Sequence, residues 1–546
     1  MSGIIHNRKP IRYVSVVTKQ FTGGITMGKY LMALDAGTGS VRAVLFDLDG
    51  NQLGVSQQEW EHKEDPRFPG SMDFDWVHNW DLASGCIRDV IKETGIDPAE
   101  IAAVSTTCMR EGILLYDKDY NEIWACANVD ARSDDEVVEL IKKSPDLEKE
   151  IYKVSGQTYA LGALPRILWV KNKMPEVYEK AAYVGMFNDW LILKLTDVMS
   201  IEPSNGSTTG IFDLATRNWD KSIMEKCGLR TDIFPKVYES GTVVAGVSEK
   251  AAEITGLAVG TPVVAGGGDA QLGCIGVGLT APGQGAVFGG SFWQFEYNTS
   301  VPKTDDQCRV RVNCHALPDL WQYEALAFYP GLIMRWYRDS FCQLEKQLSK
   351  ETGRDTYDLM NEKAEKIPAG CYGMFCAFSD VMNYISWKHA APTFTNFALD
   401  PEKFNRYTFY RAIMENSAMV TKGNIELVAS VTGEYPKEII FASGASKSPL
   451  WCQIVSDVLN IPVHVPKVKE ATALGAAILA GKGVGIYSDI TETVKKVVKI
   501  EKTYYPNAEN AKVYDGLYDT WRKVYAAQLA LADQNLTKNM WSAPGV

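Results

Sequence analysis

Ala265-Gly266-Gly267-Gly268-Asp269-Ala270-Gln271-Leu272-Gly273 is the stretch around which the chain is organised. An apolar strand, Pro262 to Ala265, runs into three consecutive glycines, a carboxylate and an amide. Glycine admits positive φ and lets a ligand approach the backbone closely. A helix of small residues follows. The glycines read as a turn, and an aspartate at its end has two readings: a general base at the edge of a ligand site, or only the N-cap of the helix. The stretch alone does not separate them.

Upstream, Tyr30 to Leu34 reads as a buried strand, Asp35-Ala36-Gly37-Thr38-Gly39-Ser40 as a polar glycine-rich turn, and Val41 to Phe46 as a second strand. Asp49-Gly50 signals a hairpin, and Gln52 to Gln58 completes a meander. A turn of small residues exposes backbone N–H groups, as a phosphate site requires. Asp35 at its entrance can hold Mg2+ through water. A plain tight turn explains the same residues. The full G-x-G-x-x-G is missing and no helix pattern follows, which disfavours a dinucleotide site of the Rossmann type.

Downstream, Gly285-Ala286-Val287-Phe288-Gly289-Gly290-Ser291-Phe292-Trp293-Gln294 repeats the pattern of strand, small-residue turn and strand. This weak internal repeat predicts two similar domains facing each other. The expected division is a disordered extension over 1–28, an N-terminal domain over 29–275 and a C-terminal domain over 276–546. Asp269 then falls between the domains, where substrates usually bind.

Other segments fill in the frame. Trp76 to Ile91 has helical spacing. Strand Ile101 to Ser105 leads to Cys108-Met109-Arg110-Glu111-Gly112, where Arg and Glu can donate to and accept from neighbouring hydroxyls. Asn128, Asp130 and Arg132 form a second polar cluster. Surface ion pairing accounts for either cluster equally well. Ser204 to Thr209 reads as a polar loop. Strand Glu438 to Ala442, turn Ser443 to Ser448, helix Trp451 to Leu459, strand Val463 to Val465 and the Ala/Gly-rich helix Glu470 to Ala480 make a nucleotide-site arrangement, or a plain βαβ connection. Val513 to Ala532 is helical, and the last residues read as a tail.

Composition narrows the function. The 546 residues exceed one ordinary core, with 46% hydrophobic and 23% charged positions. A net charge of −11 argues against nonspecific nucleic-acid binding. No apolar run reaches membrane-span length. The 11 Cys show no CxxC pair, so the expectation is buried free thiols in a reducing cytoplasm. Six scattered His suggest no metal cage.

In this order the motifs resemble those of the FGGY carbohydrate kinases, from about Tyr30 to about Trp521. They are a first phosphate turn (Asp35 to Ser40), Arg110-Glu111, Gly268-Asp269, a second phosphate turn (Gly289 to Ser291), and Ser443 to Trp451 with Gln453 and Asp457. The resemblance implies an actin-like (ribonuclease H-like) α/β ATPase fold of two domains closing over a cleft. It implies ATP and Mg2+, with Asp35 on the metal through water, and Thr38, Gly39, Ser40, Gly289, Gly290 and Ser291 on phosphates. Gly444, Ala445 and Lys447 would hold the nucleoside. Asp269 would be the base, and Arg110, Glu111, Asp130 and Gln294 would hold a small-molecule substrate. A second copy of the chain and a phosphotransferase-system phosphocarrier are the partners implied.

Within the family the chain most resembles the branch that phosphorylates linear 4,5-dihydroxypentane-2,3-dione on its terminal hydroxyl. Leu31 to Ser40, Trp124 to Arg132, Met334-Arg335-Trp336 and the Leu536 to Gly545 tail carry that likeness. Pro69-Gly70-Ser71 stands where sugar kinases often carry Pro-Gly-Trp, and Ala270 where glycerol kinases carry Gln. Both changes remove contacts to a polyhydroxylated substrate. Ser443 replaces the usual first Gly of the adenosine motif. A kinase for glycerol, ribulose or xylulose, and a nucleotide-switched sensor without turnover, remain the competing readings.

Overall fold

The computed structural model describes residues 28–544 and Val546. The leading extension, Gly28 apart, lies outside the described residues. Two sheets dominate. The first contains β1 (Tyr30–Ala36), β2 (Ser40–Asp47), β3 (Gln52–Glu59), β4 (Ile101–Cys108), β5 (Val243–Gly246) and β6 (Pro262–Gly268), in the order β5-β6-β4-β1-β2-β3. The second contains β7 (Gly285–Gly289), β8 (Trp293–Thr299), β9 (Arg311–Cys314), β10 (Trp321–Leu326), β11 (Ile439–Ala442), β12 (Val463–Pro466) and β13 (Ile500–Tyr504), in the order β9-β10-β8-β7-β11-β12-β13.

The internal repeat is real at the level of topology. β1 and β2 form an antiparallel hairpin, and β4 lies parallel on the other side of β1. β7 and β8 form the matching hairpin, with β11 parallel on the other side of β7. Strands with both faces covered read as apolar runs. β1 is buried from Leu31 onward, whereas the edge strand β3 is mostly exposed.

Helices Asp269–Val277 and Ala471–Gly483 cross at the junction of the two halves. Two glycines explain how closely. A Cβ on Gly276 would stand 1.8 Å from the Ala471 carbonyl oxygen, and one on Gly475 would stand 2.0 Å from the Leu272 carbonyl oxygen. The second helix buries Ala473, Ala476, Ala477 and Ala480 in one cluster with Leu31, Ala33 and Val264 of the first sheet. The Ala/Gly-rich composition therefore serves close packing between the halves.

Three local expectations need correction. Gly266 to Gly268 are not a turn; they extend β6, and their φ values are not positive. They are small because β6 passes tightly over its neighbours: a Cβ at Gly266 would lie 1.6 Å from the Thr106 carbonyl oxygen. Ser204 to Thr209 are not a surface loop but buried helical turns, Pro203–Gly206 and Ser207–Thr209. The C-terminal residues are not a free tail, since Asn539–Ser542 pairs antiparallel with Lys388–Ala390. Helices Asp134–Lys143, Leu147–Ser155 and Leu164–Lys173 were not foreseen. All 11 Cys are free and buried. Among the described residues no helix is long and apolar enough to cross a membrane.

Candidate active site

The chemistry-bearing segments sit at the carboxyl ends of parallel strands, where open α/β sheets bind ligands. β1 delivers Asp35 and the 37–39 turn, β4 delivers Arg110 and Glu111, and β6 delivers Asp269. From the second sheet, β7 delivers the 290–292 turn and β11 delivers Ser443 to Lys447.

The first turn closes with the Gly37 N–H on the Ser40 carbonyl, at 2.9 Å. It is braced from behind. Trp60 Nε1 donates to the carbonyls of Gly37 (3.1 Å) and Thr38 (3.0 Å), and His62 Nε2 lies 2.6 Å from the latter. Asn128 Nδ2 donates to Thr38 Oγ1 at 3.0 Å. A Cβ on Gly39 would meet nothing within 4 Å, so that backbone is open to a ligand.

Asp269 is the first residue of its helix, and Gly268 is the N-cap. The capping reading therefore fails. Gly268 is anchored by its N–H on Ser204 Oγ at 2.9 Å, and Ser204 in turn donates to buried Glu202 at 2.6 Å. The supposed loop at 204–209 is thus the floor beneath Asp269. Asp269 Oδ1 accepts from the Ala270 N–H (2.8 Å) and from Arg110 Nε (3.2 Å), while 42% of the side chain stays open to the cleft. Its place in the cleft floor raises its pKa, and Arg110 opposes the rise.

Asp35 is nearly buried, with Arg42 Nε 3.7 Å from its Oδ2. Arg42 also donates to Glu470 at 2.6 Å. Burial pushes Asp35 up to about 7 against the pull of Arg42, and the charges of Asp269 and Glu470 push the same way.

Arg110 and Glu111 adjoin the base as expected, but both are already engaged. The Arg110 guanidinium holds Glu324 with Nη1 and Nη2, the latter at 3.1 Å, besides Asp269. Glu111 has a left-handed backbone (φ 66°), and its Oε1 accepts from Arg311 Nη2 at 2.5 Å. Asp130 adjoins Glu111 through Arg166, whose guanidinium donates to the main-chain carbonyls of both. Its buried carboxylate accepts from the Met72 N–H (2.6 Å) and Arg132 Nε (2.8 Å), so it ties two loops together. Gln294 lies on β8 between Phe288 and Leu326 in cross-strand register, partly exposed.

On the other wall a cavity of about 620 Å³ takes in Gly289, Gly290, Ser291, Gly444, Ala445 and Lys447. The two loops meet: a Cβ on Gly289 would stand 2.8 Å from Ala445 Cβ. Met334, Arg335, Asp358 and Asn361 also line it. In the sequence Met334-Arg335 carries only family likeness, and nothing marks Asn361. Glu324 and Arg311 gave no local signal, because strand residues meet Arg110 only through the fold. A wider hollow of about 830 Å³, lined by Leu279, Tyr297, Glu438 and His464, opens at the opposite ends of β7, β11 and β12. It holds none of these groups.

Strand-end turns of open backbone, an exposed aspartate at a helix start and a cavity of nucleoside size fit a small-molecule kinase of the actin-like class. Residues 30–276 match the N-terminal domain, and residues 295–484 the C-terminal domain, of the FGGY family of carbohydrate kinases. The chain belongs to that family. It is 49% identical over 520 residues to an autoinducer-2 kinase of Salmonella paratyphi B, covering 95% of this chain and 98% of that one. It is 48% identical over 518 residues to the autoinducer-2 kinase of Escherichia coli K12, with the same coverage. In fold it resembles xylulose kinase from Rhodospirillum rubrum (TM-score 0.81, 22% identity, 92% of this chain and 99% of that one). It also resembles Plasmodium falciparum glycerol kinase with ADP (0.78, 18%, 91% and 98%).

Proposed function

We propose that this ATP-dependent kinase phosphorylates autoinducer-2, in its linear 4,5-dihydroxypentane-2,3-dione form, on the terminal hydroxyl. The observation that carries the chemistry is Asp269, held at a helix start by Arg110 and Ala270 with 42% of its side chain exposed. The substrate assignment rests on near-full-length likeness to the autoinducer-2 kinases.

The residues divide the work. Asp269 accepts the hydroxyl proton as the oxygen attacks the γ-phosphorus. A weak base suffices because the alcohol becomes acidic as the new O–P bond forms. Thr38, Gly39 and Ser40 approach the transferred phosphoryl group, and Gly289, Gly290 and Ser291 approach the phosphates from the facing wall. Positioning and charge stabilisation supply most of the rate in such transfers. Glu111 accepts from a substrate hydroxyl, Gln294 lies within the same wall, and Gly444, Ala445 and Lys447 hold the nucleoside. Closure of the cleft excludes water, which would otherwise take the phosphoryl group.

The residues fit Mg2+. The charges of Asp269 and Glu470 raise the pKa of Asp35, so a cation beside Asp35 relieves a repulsion that Arg42 only partly offsets. Among the described residues no cluster of three or more His, Cys, Asp or Glu could cage a metal. A hydrated Mg2+ resting on one carboxylate and the substrate phosphates needs no such cage. When bound it supplies charge neutralisation across the phosphates.

The reading places the enzyme in the cytoplasm, where ATP is available. It also carries the two implied partners, a second copy of the chain and a phosphotransferase-system phosphocarrier. Light scattering and a binding assay with a purified phosphocarrier test these. The decisive experiment for function is ADP release with Mg-ATP and the dione, glycerol, ribulose or xylulose in parallel. The expected result is a kcat/KM for the dione well above the rest. A preference for a sugar overturns the substrate, and ATP binding without turnover on any of them overturns the kinase reading.

A further inference from the structure

Arg110 and Glu111 belong to the first half of the chain, yet Arg110 reaches Glu324 and Glu111 reaches Arg311, both of the second. On the face of the second sheet that meets Arg110, Arg311, Glu324 and Glu296 stand side by side in cross-strand register on β9, β10 and β8. Glu324 is fully buried at the centre. Its carboxylate accepts from both terminal nitrogens of Arg110, from Arg311 Nη1 at 3.4 Å and from Asn313 Nδ2 at 3.2 Å. Arg311 is held in turn by Gln157 Oε1 at 2.7 Å and reaches Glu111 at 2.5 Å.

The geometry has a consequence for the base. A guanidinium is a planar fork whose donors have fixed directions. With Nη1 and Nη2 both on Glu324, the plane of Arg110 is set, and Nε is the donor left to face Asp269. Asp269 has no other side-chain partner among the described residues. Its orientation therefore depends on a carboxylate two contacts away, on the opposite sheet.

Neighbouring Glu296 provides an internal comparison. It is equally buried, but neither of its oxygens has a hydrogen-bond partner. Burial, followed by the Glu324 charge, holds Glu296 well above the ordinary carboxylate range. Burial pushes Glu324 up as well, yet Arg110 and Arg311 outweigh it and hold it down. Two adjacent carboxylates on one sheet face thus differ in protonation because only one receives the arginines.

We propose that Glu324, with Arg311 beside it, is a positioning residue for the phosphoryl transfer: it fixes the Arg110 guanidinium so that Nε stays on the catalytic carboxylate. This rests on reading Asp269 as the base. It also makes the base arrangement conditional on the two halves being together, since Glu324 reaches Arg110 across the cleft.

The test is steady-state kinetics of full-length Glu324→Gln and Glu324→Asp with Mg-ATP and the dione, alongside Asp269→Asn. Glu324→Gln removes the charge at nearly constant shape. It is expected to lower kcat roughly 10–100-fold, the scale of an ångström-level misplacement, with the KM for ATP unchanged. The Glu324 charge also raises Asp269, so removing it moves the acid limb of the pH profile to lower pH. Glu324→Asp keeps the charge and is expected to give a kcat between Glu324→Gln and wild type. A purely structural stitch predicts a lower melting temperature with kcat per folded molecule and acid limb unmoved, and that result overturns the proposal. Should Glu324→Gln fail to fold, Glu324→Asp decides alone: a wild-type kcat overturns the proposal, and a lowered kcat at unchanged KM for ATP supports it. Wild-type kcat in Asp269→Asn overturns the base reading and this proposal together. An inactive Asp269→Asn with unaffected Glu324 variants overturns the positioning role alone.

Discussion

Asn128 Nδ2 donates to Thr38 Oγ1 across 3.0 Å, so a residue 90 positions away holds the hydroxyl of the first phosphate turn. The hydroxyl is thereby aimed before any ligand arrives. Asn128→Ala frees it to rotate. A half-buried hydrogen bond of this kind contributes about 1 kcal/mol to stability, so the protein should fold. Misplaced phosphate donors should lower kcat by about tenfold. Steady-state ADP release together with a thermal melt checks this; a wild-type kcat would show that Thr38 does not act through its side chain.

Asp269→Asn keeps the shape of the helix start, because an amide oxygen can still accept from Ala270 and Arg110. The change removes only the proton acceptor. The kcat should fall about two to four orders of magnitude, the usual reach of a general base, while ATP binding measured by calorimetry stays. Retained turnover would remove the base assignment.

Asp35 carries the pH dependence. Burial raises it to about 7, so below that pH it is increasingly protonated and neutral. Metal binds the ionised form. The Mg2+ needed for half-maximal activity should therefore be roughly tenfold greater at pH 6 than at pH 8, from the fraction ionised one unit below the pKa. Titration of Mg2+ at saturating ATP at the two pH values measures this. Equal requirements would mean that Asp35 does not contact the metal's shell.

Much of this site was legible because it is local. Asp35 to Ser40, Asp269, and Ser443 to Lys447 each lie within a few residues of one strand end, where the structure places them. What failed was whatever depends on packing between distant segments. Gly266 to Gly268 look like a turn in sequence, but they are a strand squeezed against Thr106. Ser204 to Thr209 look like a solvated loop, because nothing local reveals that Glu202 is buried there to receive Ser204 and Asn205. Nothing local to Asp130 reveals that the Met72 N–H is placed against its carboxylate beside Arg132. Glu324 lies 214 residues from Arg110, beyond any motif window.

Ser443 shows the opposite case, a sequence departure whose structural effect is visible. Its backbone stands at φ 74°, ψ −165°, a region almost confined to glycine. The chain keeps the path that glycine would take and carries the strain in its Cβ. Such strain costs about 1–3 kcal/mol, partly offset in the reverse change by the greater freedom of unfolded glycine. Ser443→Gly should raise stability by up to about 1 kcal/mol without weakening ATP binding. Denaturant unfolding and calorimetry test both. A loss of stability would show that the serine hydroxyl compensates for its backbone.

His389 links the C-terminal strand to acid sensitivity. It lies in Lys388–Ala390, which pairs with Asn539–Ser542. Its ring stacks on Phe328, with centroids 5.1 Å apart, and packs edge-on against Trp387. It is 1% exposed, and neither ring nitrogen has a partner. Burial lowers its pKa to about 3, so it is neutral when folded. The unfolded chain takes up a proton below about 6.5, whereas the folded one does not until about 3. Stability is therefore complete above 6.5 and is lost as pH falls, by about 1.4 kcal/mol per unit. His389→Phe preserves the stacking and removes both the titration and the two desolvated nitrogens. The variant should be more stable at pH 7.5, and its advantage should widen by about 2 kcal/mol at pH 5.0. Buried His315, also lowered to about 3, is common to both proteins and cancels in the comparison. Denaturant unfolding of the pair at the two pH values gives the answer. An equal gap at both would mean that the folded protein protonates His389 freely, and that the aromatic cluster opens to water.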